Sequence, residues 1–235
     1  MAEPAISVSP LTAASVAQAL TARGVTVPPV TVLSAAESTN DEALSLAGAG
    51  VPEWTVVVAD EQTAGRGRLG RSWVSPPGQA LLFSVVLRPD HTWPTAAWGW
   101  VPLVAGLAVS DAVSGYGVPA KLKWPNDVVI DGPAHDGTAG PRKIAGILAE
   151  RRGDAVVVGV GINVHHNASM LPIPAATSLA LEGVRVERSG LLAQCLGAWR
   201  RRWQRIGASG GDVEESGTRH AYLARSLTLG RHVRV

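Results

Sequence analysis

The chain of 235 residues is long enough for one sizeable domain with a small appendage and short for two full domains. Its hydrophobic content of 46%, its charged content of 17% and its formal net charge of only +2 argue against disorder and against non-specific binding to DNA or a membrane. The single cysteine excludes an internal disulfide and a cysteine-based metal cage, and no apolar run or signal pattern indicates a membrane span or secretion, so we expect a cytoplasmic protein.

The N-terminal half of the chain is predicted to alternate helices and strands. In chain order the predicted elements are a helix over 11–23, a strand over 30–33, a helix over about 39–47, a strand over 54–60, a loop over 61–78, a strand over 80–88 and an apolar helix over about 101–114. Thr39 followed by Glu42 fits a capping box for the second helix, and Asp41 complements its dipole.

The C-terminal half is predicted to contain hairpins followed by helices. The elements are a strand, turn and strand over 121–130, a polar loop over 131–142, a hairpin of 144–151 with 155–164, a helix capped by Ser189 that reaches about 206, a short helix around 212–225 and a strand over 226–235. Helices mixed with consecutive hairpins indicate an α+β fold, with a mostly antiparallel mixed sheet and helices packed on one face.

The lysines are concentrated in one stretch of the chain. Of 21 basic residues only Lys121, Lys123 and Lys143 are lysines. A lysine is a compact point charge that suits a single oxygen or a phosphate, whereas arginine is a planar fork. The three lysines therefore indicate positions that need a point charge, although a codon bias toward arginine explains the pattern equally well.

A loop in which glycine and arginine alternate runs from Gly65 to Arg71. Glycine allows backbone N–H groups to point together at an anion, and arginine binds a carboxylate or phosphate with two hydrogen bonds. The spacing matches neither a dinucleotide-binding loop nor a Walker loop. We predict an anion-binding loop that is mobile when empty; a solvated basic turn or an RNA contact is the alternative.

Three further segments carry polar groups suited to ligand binding. In Lys121–Asp127 the two lysines share a strand face, Asn126 has the donors and acceptors for a heteroaromatic ring edge, and Asp127 is suited to hold a cation. Lys143 opens an apolar strand, and the glycines of Gly159–Asn163 allow close approach of a ligand or another backbone. The alternatives are a surface turn for Lys121–Asp127, an ordinary strand end for Lys143 and a bulge for Gly159–Asn163.

Together these segments suit a reaction between two negatively charged groups. No nucleophile triad and no glycosidase-type pair of carboxylates stands out in the sequence. Phosphoryl and nucleotidyl transfers depend mainly on positioning and on neutralising charge, which arginine and lysine supply. The residues alone therefore favour phosphoryl or nucleotidyl chemistry.

The order and spacing of the segments resemble the biotin protein ligases. The resemblance covers about residues 30–235 and lies in the sequences at 37–40, 62, 65–71, 123–127, 143–148 and 159–163. It implies the biotinyl/lipoyl ligase fold, which is similar to class II aminoacyl-tRNA synthetases, and a two-step reaction with ATP and Mg²⁺. Biotin is first converted to biotinyl-5′-AMP with release of pyrophosphate, and a lysine of a biotin carboxyl carrier domain then displaces AMP.

The resemblance also implies roles for individual residues. The biotin-binding set comprises Ser38, Thr39, Asn40, Gln62, Arg66, Gly67, Arg68 and Lys143. The ATP-binding set comprises Arg71, Trp73, Lys123, Asn126 and Asn163. Lys143 and Arg68 are expected to stabilise charge at the reacting centre, and Asp127 is expected to lie behind the site or near magnesium, whose ligands stay open.

Two departures from the family pattern shape the remaining expectations. About 30 residues precede the first strand, too few for the winged helix-turn-helix of some members, so we expect no specific DNA binding. We divide the chain into a catalytic domain over 1–225 and the first strand of a truncated SH3-like domain over 226–235.

The expected partner is the carrier domain of acyl-CoA or pyruvate carboxylases, with no membrane contact. The oligomeric state is open, with a monomer as the default.

Two alternatives to this function stay open at the level of sequence. Lipoate ligases and octanoyl transferases share the fold and also join an acid to a carrier lysine, although the arginine-glycine loop and Lys123–Asp127 argue against them. A non-catalytic RNA-binding module would use the arginine loop together with tryptophan stacking.

Overall fold

A computed structural model describes residues 9–231, which form a seven-stranded sheet covered by helices. The strands are β1 Thr31–Leu33, β2 Val56–Ala59, β3 Ala80–Leu87, β4 Ala120–Lys123, β5 Asp127–Ile130, β6 Arg142–Arg152 and β7 Ala155–Asn163. Their order across the sheet is β1-β2-β3-β7-β6-β5-β4. Only β1 and β2 pair in parallel, and the other five pairs are antiparallel, so the predicted mostly antiparallel mixed sheet is confirmed.

Six α-helices occur among the described residues. They are α1 Ala13–Ala22, α2 Thr39–Gly48, α3 Thr95–Trp98, α4 Val101–Ser114, α5 Arg188–Ala208 and α6 Thr218–Arg225. The main core lies between the sheet and α1, α4 and α5, where alternate residues of β2 and β3 such as Val56 and Phe83 pack with Trp199 of α5. This is the one-sided arrangement that the sequence predicts.

One helix departs from that arrangement, because α2 covers the opposite face of the sheet. Its Ala43 and Ala47 pack with Val57, Val86 and Val157, whose neighbours in the strands face the main core. The reason is that β2, β3 and β7 are apolar on both faces and need cover on the second face as well.

The starts of two helices differ from prediction. Ser38 is the N-cap of α2 and its hydroxyl accepts from Asn40 N at 3.2 Å, so the capping box predicted from Thr39 and Glu42 is wrong. Thr39 already lies in the helix, and its hydroxyl is bonded elsewhere. The helix predicted to be capped by Ser189 begins at Arg188 without a side-chain cap.

The C-terminal segment shows little regular structure among its described residues. The helix predicted over 212–225 is shortened to α6. After it, Ser226 forms an isolated bridge with Leu122, and turns follow as far as Arg231. The strand predicted over 226–235 does not form within 226–231, and 232–235 lie outside the described residues, so the SH3-like domain stays a prediction.

The segment Thr95–Ser114 is apolar and long enough to cross a membrane by length and composition alone. Most of its residues are buried within the protein, and α4 packs against α5 and the sheet. This burial is typical of the core helix of a globular fold.

Candidate functional site

The face of the sheet beside α2 combines glycines and polar side chains on its central strands. Gly146 of β6 pairs with Gly161 of β7, and Ser84 of β3 pairs with Gly159 of β7. A Cβ on Gly161 would lie 2.6 Å from Trp73, and one on Gly146 would lie 2.9 Å from the same indole. The missing side chains therefore let Trp73 lie directly against the strands.

The Ser38, Thr39 and Asn40 cluster lies at the start of α2, and all three residues are buried. The backbone N–H and the hydroxyl of Thr39 donate to Gln62 Oε1 at 2.8 and 2.9 Å. Asn40 Oδ1 accepts from Ser84 Oγ at 2.7 Å. The structure thus brings four sequence-predicted biotin-binding residues, Ser38, Thr39, Asn40 and Gln62, into one polar cluster.

The arginine-glycine loop folds into a tight hairpin beside this cluster. Gly67 N donates to Arg71 O at 2.6 Å, and Trp73 N donates to Gly65 O at 2.8 Å. Its tip is Leu69, with a left-handed φ of 57° and 90% of its surface exposed. The loop encloses a cleft of about 550 Å³ whose other wall is Leu148 and Glu150 of β6.

The three arginines of the loop have different surroundings. Arg66 Nη2 lies 2.6 Å from Asp41 Oδ1 and 3.0 Å from Glu150 Oε2. Among residues 9–231 no salt bridge involves Arg68 or Arg71, although both line the cleft. The cleft therefore has two cations available to an anionic ligand and one that is already neutralised.

Lys143, at the start of β6, links this cleft to the β4–β5 hairpin. Its Nζ forms an ion pair with Asp127 Oδ1 at 2.6 Å and lies 5.5 Å from the centroid of the Trp73 ring. Asp127 lies opposite Lys123 in the strand register of the β4–β5 hairpin. The contacts from Trp73 through Lys143 to Asp127 therefore join the segment that follows the arginine-glycine loop to the hairpin that carries Lys123.

Two predicted nucleotide-binding amides hold backbone in the structure. Asn126 Nδ2 donates to Ile147 O at 3.0 Å, and Asn163 Nδ2 donates to Thr177 O at 2.9 Å. The backbone of Thr177 is itself bonded to Lys143, whose carbonyl accepts from Thr177 N at 2.8 Å. Each amide keeps its oxygen and one N–H for a ligand.

A buried histidine connects the two loops that flank the site. His166 is fully buried, and its Nε2 lies 3.0 Å from Oγ of Ser75, at the exit of the arginine-glycine loop. Burial lowers the pKa of His166 to about 4, with the neighbouring His165 adding to the effect. The imidazole is therefore neutral at physiological pH and acts as part of the fold.

The side chains of the site are suited to hold a metal ion only when a bound ligand supplies further donor atoms. Residues 9–231 contain no group of three or more His, Cys, Asp or Glu side chains that could hold a metal. Asp127 is the carboxylate of the predicted set, and it already carries Lys143 as its counter-ion. Mg²⁺ is often held by one or two carboxylates together with phosphates of a substrate, and Asp127 fits that role but not a resident metal site.

Sequence reasoning missed three residues of the site: Ser84, Glu150 and Asp41. Glu150 Oε2 accepts from both Asn40 Nδ2 and Arg66 Nη2, so it joins the polar cluster to the loop. The signal for Glu150 was the two-residue period of β6, which places it on the same face as Gly146 and Leu148. Asp41 was assigned only to the helix dipole, because the sequence does not show that Arg66 folds back onto α2.

Comparison with known proteins identifies the class to which this fold and site belong. A sequence model of the "Biotin/lipoate A/B protein ligase family" matches residues 33–167, more than half of the chain. The chain is 37% identical over 217 residues to the biotin–[acetyl-CoA-carboxylase] ligase of Mycobacterium tuberculosis, covering 87% of this chain and 73% of the relative. The chain therefore belongs to this family.

Other relatives agree with this assignment. The biotin–[acetyl-CoA-carboxylase] ligase of Paracoccus denitrificans is 34% identical, with coverage of 86% of this chain and 82% of the relative. The bifunctional ligase/repressor of Bacillus spizizenii is 35% identical, but the chain spans only 51% of its length. Among solved structures, the biotin protein ligase of Aquifex aeolicus in complex with biotin and ATP superposes with a TM-score of 0.70 at 29% identity, covering 86% of this chain and 80% of that one.

Proposed function

We propose that this chain is an ATP-dependent biotin protein ligase that acts in the cytoplasm. The observation that carries the proposal is the placement of the cations: Arg68 and Arg71 line the cleft, and Lys143 lies beside Trp73 and pairs with Asp127 of the β4–β5 hairpin. A carboxylate and a triphosphate repel each other, and such a set of cations offsets the repulsion while positioning both reactants.

In the first step a biotin carboxylate oxygen attacks the α-phosphorus of ATP, and pyrophosphate leaves. The cluster of Thr39, Asn40 and Gln62 offers donors and acceptors for the polar ring of biotin, with Ser38 holding the start of the helix. Arg68 holds the carboxylate, and Arg66 and the Gly67 N–H join it once they are released from Asp41 and from Arg71 O. Lys143 bridges the carboxylate and the α-phosphate, where negative charge builds up in the transition state.

The nucleotide occupies the end of the site near the β4–β5 hairpin. Its binding set comprises Arg71, Trp73, Lys123, Asn126 and Asn163. Asp127 would be the protein carboxylate for a Mg²⁺ ion bound to the phosphates of ATP, and the ion would offset their charge. This arrangement requires Lys143 to exchange Asp127 for the reacting oxygens when the substrates bind.

In the second step the amine of a carrier lysine attacks the acyl carbon of biotinyl-5′-AMP. The acyl–oxygen bond breaks, AMP leaves with the electron pair, and the amine loses a proton as the amide forms. The acceptor is the carrier domain of an acyl-CoA or pyruvate carboxylase. The relatives from M. tuberculosis and P. denitrificans are named for acetyl-CoA carboxylase, which supports this class of acceptor.

The test is biotin-dependent ATP–pyrophosphate exchange, followed by labelling of a carrier domain read by mass spectrometry. We expect exchange with biotin and not with lipoate, and one added biotin on the carrier. Lys143→Ala should lower the exchange rate by about 10²–10³-fold, the effect of losing a group that stabilises charge in the transition state.

Lys121→Ala is the matched control. Lys121 lies on β4, where its Nζ pairs with Asp131 at 3.0 Å, away from the proposed reacting centre. That variant should exchange at the wild-type rate. Wild-type exchange in Lys143→Ala would remove the proposed role of this lysine, and equal exchange with lipoate would favour a lipoate ligase. Salt-sensitive RNA binding without any label transfer would favour the RNA-binding module.

A further inference from the structure

The protein holds the Arg66 side chain through a single nitrogen. Nη2 lies 2.6 Å from Asp41 Oδ1 and 3.0 and 3.2 Å from the two oxygens of Glu150. Within the described part of the chain, Nε and Nη1 of Arg66 make no hydrogen bond. The two hydrogens of Nη2 are therefore shared between two carboxylates, while the rest of the guanidinium has no protein partner there.

This choice of nitrogen matters for binding an anion. A guanidinium grips a carboxylate or phosphate with two parallel hydrogen bonds, either through Nε and Nη2 or through Nη1 and Nη2. Both arrangements need Nη2. With Nη2 bonded to Asp41 and Glu150, an incoming carboxylate obtains only single bonds from Arg66, and the two acids together outweigh the charge of the arginine.

The two acids are not equally easy to displace. Glu150 lies on β6, its side chain is 30% exposed, and it also accepts from Asn40 Nδ2 at 2.7 Å. Asp41 lies in the first turn of α2, its side chain is 46% exposed, and its carboxylate bonds Arg66 alone among the described side chains. The helix N-terminus keeps Asp41 stable as a charged group once Arg66 leaves.

We propose that Asp41 is a displaceable counter-ion of Arg66 that sets the selectivity of the site for an anionic substrate. The carboxylate of the ligand replaces Asp41 at Nη2 and completes the two-bond grip, while Glu150 stays bonded to Asn40 and keeps the arginine in reach. This inference rests on the proposed function, because it takes biotin as the ligand whose carboxylate enters.

The experiment measures dissociation constants by calorimetry for biotin and for biotin methyl ester, which lacks the charge. Asp41→Asn keeps the shape of the side chain and removes its charge. Because an exposed ion pair is worth about 0.2–1 kcal/mol, we expect biotin to bind about 1.4- to 5-fold more tightly to this variant. The ester should bind both proteins equally, and the gain for biotin should shrink as salt is added.

Glu42→Gln is the matched control, because Glu42 lies in the same helical turn and is not a salt-bridge partner of Arg66. It should leave both constants at their wild-type values. Unchanged or weaker biotin binding by Asp41→Asn would overturn the inference, as would an equal gain for the ester. An equal gain from Glu42→Gln would also overturn it, since that would reveal a general charge effect. Failure of the wild-type protein to bind biotin at all would instead contradict the proposed function.

Discussion

Near Ser84 and Gly159 the two faces of the central strands β3 and β7 differ in character, although residues of both faces alternate along each strand. Phe83, Val158 and their alternate neighbours face the helices and are fully buried in the main core. Ser84 and Gly159 face α2 and the polar cluster. On one face large side chains fill the space, and on the other the small residues leave space that a ligand or another side chain can use.

This difference predicts that stability and ligand binding can be changed separately. Burial of apolar surface contributes most of the free energy of folding, so the helix-covered face should dominate the free energy of unfolding. The face beside α2 has a few hydrogen-bonded polar groups and should dominate binding. The five substitutions that follow test this separation.

The largest expected effect is on stability and comes from Trp199→Ala on the helix-covered face. Trp199 is fully buried and packs edge to face against Trp54 with ring centroids 6.1 Å apart. Removing such a side chain leaves a cavity and lowers the free energy of unfolding by about 3–5 kcal/mol. Urea unfolding should show this loss, while the folded protein should bind biotin as the wild type does. A large loss of affinity with little change in stability would contradict the separation.

Gly159→Ala should have the opposite outcome. A Cβ on Gly159 would overlap Oδ1 of Asn40 and push that side chain out of its bonds with Ser84 and Glu150. Losing two hydrogen bonds of about 1 kcal/mol each predicts about 2 kcal/mol, or roughly thirtyfold weaker biotin binding. The free energy of unfolding should change less than for the tryptophan, because no large apolar group is lost.

Val158→Ala is the control for this glycine, since Val158 is the preceding residue and faces the main core. It should lower the free energy of unfolding by about 1–3 kcal/mol and leave the biotin dissociation constant unchanged. The separation of the two faces fails if Gly159→Ala binds biotin normally, or if the two variants lose affinity to the same extent.

The sequence predicts these two faces unequally. The apolar period of the strands and of α4 predicts the sheet and its main helical layer, because burial on that side depends mainly on residue type and spacing. The glycine pair of β7 predicts a close approach, and the structure confirms one. The glycine pattern does not reveal that the approaching groups are Asn40 and Trp73, because long-range side-chain contacts leave no local pattern in the sequence.

The same reasoning explains which parts of the candidate site sequence reasoning missed. The cations are predicted because their residue types and spacing are unusual, whereas Glu150 belongs to a strand that alternates in an ordinary way. The α2 cap is shifted by one residue because Thr39 forms a tertiary hydrogen bond to Gln62 instead of a local one. Residues that join the site through such tertiary contacts can be assigned to it only when the register of the strands is known.

The smallest effect is expected for Ser84→Ala, which tests the difference between the two faces at one residue of β3. Ser84 is fully buried, and its Oγ lies 2.8 Å from Thr39 Oγ1 and 2.7 Å from Asn40 Oδ1. Losing one such hydroxyl is worth about 1 kcal/mol, so the KM for biotin should rise about fivefold. The rate constant kcat should stay near the wild-type value, because Ser84 supports the residues that bind biotin and does not touch the reacting atoms.

Ser110→Ala makes the same chemical change on the other face of the sheet. Ser110 of α4 is also fully buried, and its Oγ donates to Ala120 O at 2.7 Å. Its loss should lower the free energy of unfolding by about 1 kcal/mol and leave the KM for biotin unchanged. If both serine variants shift KM equally, then the polar cluster responds to the stability of the whole domain, and the face beside α2 is not an independent binding surface.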